Sequence, residues 1–318
     1  MILTITPNPS VDISYRIDHL AIDDVNRCSN IRKTAGGKGL NVTRVLNQLR
    51  ADVEASGFVG GVLGDFILGE LSSLGVKNSF VRTKSNTRNC IAILHDNGNQ
   101  TEILEESEAI ESIYEEVFLD ELEEKMDGKN IITCSGSLPI GVSDNFYTDI
   151  VDKSNDLGKK IIVDTSGRQL EKVILNEKKA FAIKPNIDEI RDLLIKNDKD
   201  FNKDTIINSN NISDILSNKI FDGIELILLS AGKDGGYFKY KNDVFKIRIP
   251  RVKALNPVGS GDSTVAGLAY GLSEGRSINE SIKIAMTCGI LNAMQEETGY
   301  IDIKKFDDIY SEIYIDKL

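Results

Sequence analysis

Tryptophan is missing from this sequence of 318 residues, and histidine, cysteine and methionine are scarce, at two, four and four residues. With only His19 and His95, a histidine-rich metal site is excluded, and any serine or cysteine nucleophile paired with a histidine base would have to use one of them. Acid and base chemistry therefore falls to carboxylates. Cys28, Cys90, Cys134 and Cys288 form no Cys-x-x-Cys pair. They suggest neither a zinc ribbon nor a disulfide framework and read as reduced, cytosolic thiols. No apolar run approaches the roughly 18–20 residues that span a bilayer. Residues 1–10 show no basic region leading into an apolar stretch and hold Pro7 and Pro9, so no signal peptide is read there and a cytoplasmic location is expected. Cations are the minority, 38 Lys and Arg against 49 Asp and Glu, for a net charge of −11. That balance argues against nucleic acid or an anionic membrane as partner, and any anionic ligand must be held by locally placed cations.

What is present is an alternation. Short β-branched runs at 2–6, 53–59, 131–134, 160–164, 180–183 and 225–230 are spaced by segments of helical period at 40–49, 66–74, 112–126, 144–157, 187–195, 260–272 and 278–296. The fold class is α/β, a parallel sheet covered by helices on both faces. Two β-rich stretches, 11–34 and 78–105, break the rhythm. They read together as a small β subdomain over one end of the main sheet, serving as a lid or an oligomerisation surface, with ordinary antiparallel edge strands as the alternative. The segment 196–211, dense in Asn, Asp and Lys, is expected to be a solvated loop.

The strongest local signal is Asn256-Pro257-Val258-Gly259-Ser260-Gly261-Asp262, a glycine-rich turn that enters an apolar helix. Such a turn aims unpaired N–H groups, and the helix's roughly half unit of positive charge, at an anion. Asp262 beside it repels phosphate, so it suits a general base for an attacking hydroxyl; an N-cap aspartate is the other reading. The helix N-terminus is expected to lower its pKa, leaving a weak base that acts late.

A second cluster, Gly36-Gly37-Lys38-Gly39, also opens a helix but is no Walker loop, because Gly39 stands where Ser or Thr is needed. It is either a phosphate cradle or a flexible turn. Asn8-Pro9-Ser10-Val11-Asp12 ends a strand with an acid suited to sugar hydroxyls, or is a plain turn. Lys184-Pro185-Asn186-Ile187-Asp188-Glu189 offers oxygens for hydrated Mg²⁺ at Asn186 and Glu189, or a capping box. Ser230-Ala231-Gly232-Lys233-Asp234-Gly235 could pass under a nucleotide or make a hairpin turn. No strand is followed by Gly-x-Gly-x-x-Gly, which excludes a Rossmann dehydrogenase.

Together these motifs resemble the PfkB sugar kinases, the ribokinase-like family, over nearly the whole chain. Ala35-Gly36-Gly37-Lys38-Gly39-Leu40-Asn41 is similar to the family's N-terminal signature and Gly259-Ser260-Gly261-Asp262 to its C-terminal one. Asn8 to Asp12, Val25-Asn26-Arg27, Thr87-Arg88-Asn89 and Ser135-Gly136-Ser137-Leu138-Pro139 resemble the branch acting on phosphorylated ketohexoses. The resemblance implies one three-layer α/β/α domain over 1–318, with a small β-sheet lid from about 11–34 and 78–105. It also implies ATP and Mg²⁺, and phosphoryl transfer from ATP to a sugar hydroxyl. The implied acceptor is D-tagatose 6-phosphate; fructose 1-phosphate is the alternative, and a non-catalytic sugar phosphate sensor, which would lack Asp262 or the glycine turn, is remote.

By position, the resemblance makes Asp262 the base and the N–H groups of Gly259, Ser260, Gly261 and Asp262 the anion hole. Asp12, Gly37 and Asn41 would bind sugar hydroxyls, and Lys38 and Arg88, with Arg27 from the lid, the substrate's own phosphate. Lys184, Asn186 and Glu189 would serve nucleotide phosphates and Mg²⁺; Ser230, Gly232, Gly235 and Asn292 would surround the nucleotide. Pairing of lids into a homodimer is a further expectation.

Overall fold

Central parallel strands need apolar side chains on both faces, and Ile2–Thr6, Ile131–Ser135, Lys160–Asp164 and Leu226–Ser230 supply them. The protein, seen in a computed structural model, is described over residues 1–96, 98–199 and 201–318. Asn97, in the expected β-rich stretch, and Asp200, in the expected loop, lie outside the described residues.

Among the described residues eleven strands make the main sheet. From one edge they run Tyr314–Lys317, Asp243–Arg248, Gly236–Tyr240, Leu226–Ser230, Ala182–Ile183, Lys160–Asp164, Ile131–Ser135, Ile2–Thr6, Val53–Gly60 and Lys77–Asn78, and Val81–Thr83 also pairs with Val53–Gly60. Pairing is parallel from Leu226–Ser230 onward and antiparallel through the first three strands. Side chains alternate between two apolar layers. Leu226 and Leu228 join the layer containing helices Lys38–Gln48, Ser260–Ser273 and Ile278–Ala293, while Ile227 and Leu229 join that of Phe146–Asp156, Gly167–Leu175 and Ile187–Asn197. This is the three-layer α/β/α arrangement.

The helices Ser260–Ser273 and Ile278–Ala293 approach closely because glycines face the contact. A Cβ on Gly267 would lie 2.7 Å from Ala285 Cα, and one on Gly271 would lie 2.7 Å from Ser281 Cα. The helix Ser260–Ser273 is thereby held along its length against a partner helix most of whose residues are buried.

A second sheet has the order Asn30–Gly36, Ser10–Arg16, Arg88–His95, Asn99–Leu104, with the central pair parallel and the outer pairs antiparallel. It does not take in all of 78–105. Val81 is buried in the apolar layer of the main sheet and Val81–Thr83 pairs there, so the second sheet resumes only at Arg88.

Candidate functional site

Parallel strands all end at one edge of their sheet, and ligands of open α/β folds bind there. In this chain the loops after Ile2–Thr6, Ile131–Ser135, Lys160–Asp164, Ala182–Ile183 and Leu226–Ser230 border a cleft of about 630 Å³, roofed by the second sheet. Asp12, Gly37, Lys38, Asn41, Arg88, Lys184, Asn186, Glu189, Ser230, Gly259, Gly261 and Asp262 line it.

Gly259 caps the helix Ser260–Ser273 at φ 80, a left-handed conformation suited to glycine. A Cβ there would also stand 2.5 Å from Thr298 Cγ2. The Ser260 amide turns back to Pro257 O at 3.2 Å and so is no part of an anion hole. Among the described residues the Gly261 and Asp262 amides have no acceptor within the chain, as expected of a helix's first turn. Asp262 is buried, and Asn41 Nδ2 donates to its Oδ2 at 2.8 Å. Burial, followed by repulsion from Asp164, raises its pKa to about 6, against the lowering effects of Asn41, Lys38 and Lys184. The expected lowering by the helix terminus is thus overridden: desolvation of the charged form outweighs the dipole.

Asp12 accepts from Ser10 Oγ at 2.7 Å, and a side chain on Gly36 would collide with its carboxyl group. Burial raises the Asp12 pKa, opposed by Ser10, Arg44 and Arg88. Arg88, beside Ser10 in the parallel pairing, donates from Nη1 to Glu105 O at 2.9 Å, while its buried Nε has no hydrogen-bond partner among the described residues. Arg27 lies exposed between lid strands and does not reach the cleft wall.

On the other side Asn186 and Glu189 form the capping box of Ile187–Asn197, with both reciprocal bonds at 2.9 Å, yet both also line the cleft. Lys184 is buried, and a Cβ on Gly261 would sit 3.2 Å from its Nζ. Of the glycine turn after Leu226–Ser230 only Ser230 reaches the cleft wall; Gly235 packs against the Ile247 backbone and Gly232 is exposed. Asn292 is fully buried. Its Nδ2 donates to Val258 O at 2.8 Å and its Oδ1 accepts from Gly299 N at 2.7 Å, so it braces the glycine turn and does not line the cleft.

Sequence reasoning missed Asp164. Its Oδ1 lies 3.3 Å from Lys184 Nζ, and its buried Oδ2 lies 4.0 Å from Lys38 Nζ and accepts no hydrogen bond among the described residues. Attraction to Asp164 is the chief cause holding the Lys38 ammonium above its ordinary pKa range. The signal was an acid ending an otherwise apolar buried strand, at the edge where such sheets bind ligands.

A helix start with two unpartnered amides and a buried carboxylate thus faces an acid and cations across one cleft, among the described residues. The chain belongs to the PfkB family: the model of pfkB family carbohydrate kinases matches residues 6–305. Its reaction is therefore phosphoryl transfer from ATP to a sugar. The chain is 45% identical over 315 residues to a tagatose-6-phosphate kinase of Staphylococcus epidermidis, covering 99% of each. It superposes with TM-score 0.84 on a Staphylococcus aureus protein described as a phosphofructokinase, at 30% identity over 100% of this chain and 99% of that one. Phosphofructokinase-2 of Escherichia coli shares the fold, with TM-score 0.86 and 23% identity over 98% of each chain.

Proposed function

We propose that the chain phosphorylates D-tagatose 6-phosphate with ATP, giving D-tagatose 1,6-bisphosphate. The observation that carries this is the buried Asp262, beside two unpartnered helix amides, in one cleft with Asp12, Lys38 and Arg88. The 45% identical relative of matching length supports the choice of sugar. Asp12, Gly37 and Asn41 orient the ketohexose so that its free primary hydroxyl faces Asp262. Lys38 and the Arg88 guanidinium hold the phosphate already on it. The hydroxyl oxygen attacks the γ-phosphorus, its proton passes to Asp262, and the bond to the departing ADP oxygen breaks. Lys184 and the Gly261 and Asp262 amides balance the charge on the moving phosphoryl group.

The residues also fit Mg²⁺. Among the described residues no cluster of three metal-ligating side chains exists. That suits an ion which takes one or two carboxylates and fills its shell with water and phosphate oxygens. Asp164, whose buried Oδ2 accepts no hydrogen bond among the described residues, and Glu189 with Asn186 would hold it. When bound, it supplies positive charge to the nucleotide phosphates.

Residues 1–318 act as one domain, with the second sheet as lid. Exposed Ile22, Val25, Ile31, Ile103 and Leu104 on that lid support pairing of two copies into a homodimer. Among the described residues no helix is long and apolar enough to cross a membrane, and the use of ATP fits a cytoplasmic protein. An ADP-release assay with tagatose 6-phosphate, fructose 6-phosphate and fructose 1-phosphate side by side tests the reading. The highest kcat/KM with tagatose 6-phosphate is expected; a clear preference for fructose 1-phosphate would replace it.

A further inference from the structure

Asn41 can steady Asp262 only if its amide is turned the right way, and the structure shows what turns it. Arg44 lies three residues further along the helix Lys38–Gln48, so both side chains share one face. Its Nη1 donates to Asn41 Oδ1 at 3.2 Å, which leaves Asn41 Nδ2 pointing at Asp262 Oδ2. The same Nη1 donates to Thr298 O at 2.9 Å, and Nη2 donates to Ala35 O at the end of a lid strand. Thr298 adjoins Gly299, whose amide reaches Asn292 and through it Val258 of the glycine turn. Among the described residues Arg44 forms no ion pair, so its charge is held by carbonyl and amide oxygens. A largely desolvated guanidinium held in this way costs free energy, and its Nη1 and Nη2 bind Asn41 and Thr298 of the cleft wall and Ala35 of a lid strand.

We propose that Arg44 is a positioning residue for phosphoryl transfer, which acts through Asn41 to orient the Asp262 carboxylate. An arginine is suited to this because its planar fork makes several bonds in fixed directions, which a lysine cannot reproduce. The inference rests on Asp262 being the base. Asp262 is faced by Asp164, Lys38 and Lys184 as well as by Asn41, and Arg44 is faced by Asp12, Arg32, Glu70 and Asp262 itself, so the test keeps the charge at position 44 and isolates the Asn41 route.

The test is a double-mutant cycle on the whole enzyme with Arg44→Lys, Asn41→Ala and the pair, measuring kcat, both KM values and the pH dependence of kcat. In the wild-type background Arg44→Lys is expected to lower kcat about 10-fold or more, the scale of a misplaced catalytic group, with the KM for ATP within threefold. The acidic limb of kcat moves to higher pH, because the hydrogen bond that favours ionised Asp262 is loosened. In the Asn41→Ala background the same change costs less than twofold. An equal cost in both backgrounds, or an unmoved acidic limb, overturns the proposal and leaves Arg44 a purely structural residue. Asp262→Asn measured alongside separates the two readings: if it keeps turnover, the assignment of the base fails; if it is inactive while the cycle is additive, only the role of Arg44 fails.

Discussion

Asn41 and Asp262, 221 positions apart in the chain, meet in a buried 2.8 Å hydrogen bond between the helices that open at the two glycine clusters. In the proposed reaction the contact joins the sugar side of the cleft to the phosphoryl side. It also favours the ionised carboxylate in a place where burial disfavours it.

That opposition sets a pH dependence. With the Asp262 pKa raised to about 6, the base is increasingly protonated as pH falls through that value, so kcat should decline on an acidic limb centred near pH 6. A kcat profile between pH 5 and 9 checks it. A limb near pH 4 would place the carboxylate in an ordinary environment.

The same shift affects stability. A carboxyl group whose folded pKa lies above the unfolded value of 3.8 binds its proton more tightly when folded. Stability is therefore lost as pH rises from about 4 to about 6 and stays reduced above. Asp262→Asn removes the buried charge and can still accept from Asn41. It should be more stable than the parent at pH 8, by roughly 1–3 kcal/mol at one to two pKa units, with the gap closing toward pH 4. Thermal melts at both pH values measure it.

Asp164→Asn should act on two readouts in opposite senses. Removing the charge near Lys38 and Lys184 raises the Mg²⁺ concentration needed for half-maximal activity. It also removes the repulsion that helps raise Asp262, so the acidic limb of kcat shifts to lower pH. Mg²⁺ titrations and pH profiles of the variant check both, and an unchanged Mg²⁺ requirement would take Asp164 out of the metal site.

Arg88→Ala removes a guanidinium whose Nε has no hydrogen-bond partner among the described residues. The KM for a phosphorylated ketohexose should rise by about 10-fold or more, since a charge-assisted hydrogen bond contributes on the order of 1.5–3 kcal/mol. The KM for the unphosphorylated sugar should change little. Equal losses with both sugars would make Arg88 a lid residue only.

Much of the scaffold was legible in the sequence because buried parallel strands must be apolar on both faces, and 2–6 and 160–164 match the observed strands end to end. The helix Gly167–Leu175 was hidden by its turn-like start at Thr165-Ser166-Gly167, although Leu170, Val173 and Ile174 carry its apolar stripe. The assignment of Val81 to the lid failed because a short β run does not say which of two sheets it joins; burial against the main core decides that. In the site, glycine turns announced themselves, since few other residues tolerate such backbones. Asp164 and Arg44 did not, because an acid ending a strand and an arginine within an amphipathic helix gain their meaning from contacts such as Lys38, Lys184 and Thr298, distant in the chain. Asn292 was assigned to the nucleotide, and only packing reveals that its amide is consumed by Val258 and Gly299.

The most direct test of the account compares Asp262→Asn with the parent enzyme in single-turnover phosphoryl transfer and in equilibrium binding of the ketohexose phosphate. A base that touches the reacting hydroxyl predicts transfer slowed at least ~100-fold with sugar phosphate affinity retained. Transfer within threefold of the parent would contradict it.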